Sequence, residues 1–137
     1  MFFIQQMLHT HPRGETVRSS LLTECIAACF ECAQACTACA DACLAESDVA
    51  ELVHCIHLNH DCADICEVTG RILSRQASTS VELQRLQLES CVTACRACGL
   101  ACDRHADRHE HCRFCAEACR RCETLCNRFL QSVPAAA

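Results

Sequence analysis

Residues 25–43 read Cys25-Ile26-Ala27-Ala28-Cys29-Phe30-Glu31-Cys32-Ala33-Gln34-Ala35-Cys36-Thr37-Ala38-Cys39-Ala40-Asp41-Ala42-Cys43, with cysteine returning at intervals of four and three. That alternation has a mean period of about 3.5 residues, so the thiols fall on one face of a helix, as the inner seam of a left-handed bundle. The stripe recurs three more times: at Cys55, Cys62 and Cys66; at Cys91, Cys95, Cys98 and Cys102; and at Cys112, Cys115, Cys119, Cys122 and Cys126. In all, 18 of the 137 residues are cysteine. A thiol packs less well than leucine but binds soft metal ions far better, so a core built from thiols points to metal chemistry.

The rest of the composition favours helix. Alanine surrounds the cysteines, only three Gly and two Pro interrupt the chain, and Trp and Tyr are absent. The expected fold class is all-α, with helices over about 20–46, 49–75, 80–105 and 108–131. Asp48 with Glu51, Thr79 with Glu82, and Asp107 with Glu110 fit a helix-start pattern, and Ser19 or Ser20 is placed to cap the first helix. Short connections between long amphipathic helices favour antiparallel neighbours, which predicts an up-down-up-down four-helix bundle over residues 19–131. Residues 1–18 read as a tail or short helix and 132–137 as a C-terminal tail.

That topology gives the bundle two unlike ends. Leu22, Leu73, Leu88 and Phe129 extend the stripes at one end and form an apolar plug. At the other end the chain offers His54, His105, His109 and His111, a polar mouth through which ions pass. His105 continues the stripe of the third helix. His57 and His60 fall off the second stripe, which passes through Leu58 or Asn59, and they read as surface residues. Met7, His9 and His11 belong to the tail.

Seventeen acidic residues stand against twelve basic ones, all arginine, for a net charge of −5, so a nucleic-acid partner is disfavoured. The first residues lack a basic leader and no segment reads as a membrane span, so a cytoplasmic location and no membrane partner are expected. Thiols stay reduced in that compartment, and cysteines four apart on one helix project side by side, which disfavours structural disulfides. Zinc is disfavoured by charge: an ion held by four separate thiolates carries about −2 into the core, and an uncompensated buried charge costs several kcal/mol. Cu(I) with one thiolate is neutral, and pairs four apart on a helix suit a soft ion that accepts two or three sulfurs. Eight such pairs occur: Cys25/Cys29, Cys32/Cys36, Cys39/Cys43, Cys62/Cys66, Cys91/Cys95, Cys98/Cys102, Cys115/Cys119 and Cys122/Cys126; Cys55 and Cys112 stand apart, near the mouth. Iron–sulfur clusters need other spacings. A Zn(II) or Cd(II) buffer and a thiol oxidoreductase are the competing readings; the second requires one privileged thiolate, and none stands out. The chain is therefore read as a binding protein and not an enzyme.

With Cys-x-x-x-Cys pairs on four helices and histidines at one mouth, residues 20–130 resemble the bacterial copper storage proteins, in particular their cytosolic branch. The resemblance implies a homotetramer of four-helix bundles that stores or sequesters many Cu(I) ions along the bundle axis. It implies ligation by all eighteen cysteines, with His105, His109 and His111 at the mouth, and an approach of Asn59 to copper. Neither the donor nor the acceptor of the metal follows from it.

Overall fold

The computed structural model describes residues 2–13 and 20–134, which form five α-helices and, among the described residues, no strand. They are α1 (Phe2–His9), α2 (Ser20–Leu44), α3 (Val53–Ser74), α4 (Val81–Asp103) and α5 (Glu110–Ser132), with a 3-10 turn at Val49–Leu52. Helices α2 to α5 form a ring in which each packs on its neighbours in the chain and α5 closes against α2, while α1 lies against α2.

Sulfur contacts give the helix directions. Along α2 and α5, Cys25 meets Cys126 at 3.5 Å, Cys32 meets Cys119 at 3.8 Å and Cys43 meets Cys112 at 3.9 Å. Along α3 and α4, Cys66 meets Cys91 at 3.8 Å, Cys62 meets Cys95 at 4.0 Å and Cys55 meets Cys102 at 3.4 Å. Numbers rise on one helix as they fall on its partner, so both pairs are antiparallel, and the bundle is the up-down arrangement that the stripes predict.

The helix ends differ from expectation in local ways. The α2 helix stops at Leu44, and α3 is preceded by a separate 3-10 turn instead of running unbroken from residue 49. Ser80, not Thr79, caps α4: its extended backbone lets Oγ accept the Leu83 N–H at 3.3 Å. His109, not Asp107, occupies the cap position of α5, because Asp107 is held within the preceding turn. Asp48 precedes the 3-10 turn without a side-chain cap, since its carboxylate faces His109 and Arg108. Ser20 is the first residue of α2, and Ser19 lies outside the described residues.

At the end remote from the histidines, Leu22, Leu73 and Leu88 are buried and Phe129 is half-buried, as the apolar plug requires. Leu8 from α1 and Val133 beyond α5 join the same core, and the Arg85 guanidinium donates to the Val133 carbonyl at 3.0 Å. Leu52 is fully buried, whereas Val53, Leu83, Leu86 and Leu100 are exposed. Contrary to expectation, α2 is long and apolar enough by length and composition to cross a bilayer. Half of its most apolar window is buried inside the bundle, and its outer face carries the exposed Glu31 and Asp41.

Replacing Leu73, 1% exposed in the plug, by alanine is expected to lower stability by about 2–5 kcal/mol through lost burial and a cavity. Denaturant unfolding of the reduced, metal-free protein measures this, and a loss below 1 kcal/mol would mean that the plug collapses around the gap.

Candidate metal centre

All eighteen cysteines are free thiols and all are buried. Each bundle helix turns its seam inward, so sulfurs from different helices meet along the axis. Cys29, Cys91, Cys122 and Cys126 form one group whose four sulfurs lie within 4.8 Å of one another. Further groups of the same kind are Cys32, Cys66, Cys95 and Cys122; Cys32, Cys36, Cys62 and Cys119; and Cys36, Cys98, Cys115 and Cys119. The groups share members, so the thiols make a continuous column and not a set of separate sites. Within single helices, Cys32 and Cys36 approach to 3.9 Å, Cys62 and Cys66 to 3.7 Å, and Cys122 and Cys126 to 3.9 Å. Contacts between helices run from 3.4 Å at Cys55 and Cys102 to 4.0 Å at Cys62 and Cys95. All of these distances far exceed the roughly 2 Å of a disulfide bond.

One amide is built into the column. Asn59 is fully buried on α3, and its Oδ1 accepts from the thiols of Cys98 at 3.0 Å, Cys115 at 3.3 Å and Cys102 at 3.5 Å. Its Nδ2 points at Cys55 Sγ, 3.9 Å away. The second stripe therefore passes through Asn59 and not Leu58. His57 and His60 are exposed, as expected for residues off the stripe, and His57 pairs with Asp61 at 3.5 Å.

At the mouth the histidines occupy different depths. His111 is the inner one: Nδ1 lies 3.4 Å from Cys39 Sγ and 3.6 Å from Cys112 Sγ, and Cys39, Cys43, Cys112 and His111 form a further group within 4.8 Å. His109 stands outside it, stacked on His111 with ring centroids 5.4 Å apart. Its Nδ1 is 2.6 Å from Glu46 Oε2 and its Nε2 is 3.0 Å from Asp48 Oδ2. Among the described residues His105 makes no hydrogen bond to a thiol: α4 ends at Asp103, so the stripe is broken before residue 105, and the ring lies beside Arg108 at 3.3 Å. His54 is exposed. Arg108 adds an ion pair to Glu51 at 3.0 Å. The sequence pattern marks Asp48 and Glu51 only as a helix start and gives no signal for Glu46, although the topology puts the turn between α2 and α3 at the histidine end.

Residues 18–131, which take in the four bundle helices but for Ser132, match the family described as copper storage protein, Csp. The chain belongs to the copper storage protein family. It is similar to the Streptomyces lividans copper storage protein Ccsp loaded with 10 copper equivalents, at 46% identity and a TM-score of 0.86, covering 93% of this chain and 98% of that one. It is also similar to a cytosolic copper storage protein from the same organism with five coppers, at 52% identity and a TM-score of 0.80 over 81% of this chain and 92% of the other. The Cu(I)-bound copper storage protein BsCsp3 is more distant, at 36% identity and a TM-score of 0.67 over 81% and 95%.

In this member of the copper storage protein family the thiols are not electrostatically equivalent. Burial first, and then the neighbouring Cys39 and Cys55, push the Cys43 thiol up to about 12. Cys39 is moved well below the ordinary thiol range, chiefly by its hydrogen bonding with Cys102 and then with Cys112 and Cys115. Deeper in the column a hydrogen bond from Cys119 leads in lowering Cys62 to about 7. Burial pulls His111 down, yet hydrogen bonds to Cys39 and Glu46 together outweigh it and hold the imidazole above its ordinary value.

That direction sets a pH dependence in the metal-free protein. A raised imidazole stabilises the fold fully below its unfolded value, and the contribution is lost as pH rises through the folded value. Unfolding curves across the range just above the ordinary imidazole value are expected to show this loss in the parent and not in His111→Ala; equal slopes would assign it elsewhere. Asn59→Ala is expected to cost about 1–3 kcal/mol, because buried thiol donors lose their acceptor. Thermal or denaturant unfolding under reducing conditions checks it, and an unchanged midpoint would count against the hydrogen-bond role.

Proposed function

We propose that this protein stores Cu(I), taking up many ions per chain along its thiol column. The observation that carries this is the sharing of sulfurs between groups: Cys32, Cys36, Cys119 and Cys122 each belong to at least two. Shared thiolates suit a soft monovalent ion that is content with two or three bridging sulfurs, whereas separate tetrahedral zinc sites would claim four sulfurs each. Charge supports the same choice, since one thiolate per Cu(I) leaves the buried column neutral. The copper-loaded relatives agree with it.

All eighteen cysteines, from Cys25 to Cys126, serve as ligands in this reading. His111 completes the outermost group, and His109 and His105 handle ions in transit. The working unit is the bundle of residues 19–131, with 1–18 and 132–137 outside it. The location is cytoplasmic, no reaction is catalysed, and the partners are copper ions and further copies of the chain, with no role for nucleic acid or membrane. The exposed Val53, Leu83, Leu86 and Leu100 are suited to burial in a homotetramer.

Anaerobic titration of the reduced, metal-free protein with Cu(I) against a competing chelator is expected to saturate near one ion per cysteine, with far weaker uptake of Zn(II). Saturation at one or two Cu(I), or tighter retention of about four Zn(II), would overturn storage and favour a copper carrier or a zinc and cadmium buffer. Turnover of a disulfide substrate by metal-free protein, lost on replacing one cysteine, would instead mark a thiol oxidoreductase. Replacing His105, His109 and His111 together by alanine is expected to slow loading and removal without reducing the final capacity by more than about one ion. Stopped-flow mixing with a chromophoric Cu(I) chelator reads both rates; unchanged rates would remove the mouth from the path.

A further inference from the structure

Glu46 lies two residues beyond the end of α2, and a single oxygen of its carboxylate serves two rings. Oε2 is 2.9 Å from Nε2 of His111 and 2.6 Å from Nδ1 of His109. An ionised carboxylate can only accept, so Nε2 of His111 carries a proton there, and in the neutral ring Nδ1 keeps its lone pair. That nitrogen is the one facing Cys39 and Cys112 at 3.4 and 3.6 Å. The opposite tautomer would turn an N–H toward the sulfurs, and a flipped ring a C–H, where a metal ion needs an electron pair.

We propose that Glu46 is a positioning residue for the first Cu(I) taken up, locking the His111 ring so that its Nδ1 lone pair faces the gap between Cys39, Cys43 and Cys112. The proposal rests on the storage reading and deepens it. A ligating imidazole gains positive character when it gives its lone pair to an ion, and a carboxylate on its far nitrogen stabilises that charge and raises the basicity of the ligand. Because His109 binds the same oxygen and is held on its other side by Asp48 at 3.0 Å, the outer ring braces the carboxylate against rotation. Glu46 is about one-third exposed, so water reaches the bridge, while the His109 ring, 11% exposed, shields it.

The test compares the parent, Glu46→Ala, Glu46→Gln, His111→Ala and the double variant Glu46→Ala/His111→Ala. Nitrogen-15 NMR of the metal-free protein at mildly alkaline pH reads the tautomer without any copper: the parent is expected to hold His111 with its proton on Nε2, Glu46→Ala to give a mixture, and Glu46→Gln, which keeps an acceptor oxygen at the same reach, to restore the parent signature. Capture of one equivalent of Cu(I), followed by stopped flow, is expected to slow about 10-fold in Glu46→Ala, with no further slowing when the same change is made in His111→Ala. An unchanged tautomer in Glu46→Ala, or equal slowing with and without His111, would overturn the proposal and make Glu46 a simple attractive charge. Failure of the parent to take up Cu(I) in quantity would instead defeat the storage reading, and the tautomer comparison would still decide whether Glu46 fixes His111.

Discussion

Sulfur packed against sulfur is the contact on which this bundle depends. Four seams of cysteine face one axis, and each thiol must act as a hydrophobe in the folded, metal-free chain while remaining a donor atom at a usable distance from its neighbours. The two demands are compatible because a thiol is small and only weakly polar: burial costs it little, and its S–H finds partners in other thiols. Sulfur separations of 3.4 to 4.0 Å are close to ordinary van der Waals contact, so the column is filled by its own side chains. What such a core forgoes is the tighter packing of branched aliphatic residues; Leu22, Leu73 and Leu88 gather at the end remote from the mouth, while Leu52 is buried near the mouth.

Asn59 departs from this pattern. A carbonyl oxygen that receives thiols from Cys98, Cys102 and Cys115 ties α3 to both α4 and α5 by directional bonds. Thiol contacts are soft and tolerate sliding along the axis, whereas an amide oxygen in a dry core does not. The amide therefore defines the relative height of three helices, close to the mouth, where the column meets the charged network of Glu46, Asp48, Glu51 and Arg108.

Much of this was legible in the cysteine intervals. A 3.5-residue repeat on four segments names the inward face of each helix, and short connections then order the helices, so the plug and the mouth follow by bookkeeping of ends. What the repeat does not encode is where a helix stops. Thr79 and Ser80 are chemically alike, and only the extended backbone at Ser80 decides between them. His105 extends the stripe in register, but the helix that would carry it has already ended at Asp103. Glu46 and Asp48 occupy a turn with no period to read, and their importance arises from where the turn falls against α5. At Asn59 the ambiguity was angular: successive residues differ by about 100° around a helix, which left Leu58 and Asn59 similarly close to the seam.

The leucine plug has a consequence for order. With Leu22, Leu73 and Leu88 buried at one end, a column loaded from the histidine end would be a blind shaft, in which Cys25, Cys91 and Cys126 are reached by way of the sulfurs nearer the histidines. Cargo in such a shaft would be stratified by age: the last ion to arrive would be the first within reach of an acceptor, and the earliest would be released only after those above it had gone. A single chain would then offer two kinds of reserve, a shallow one that exchanges readily and a deep one drawn on only under sustained demand.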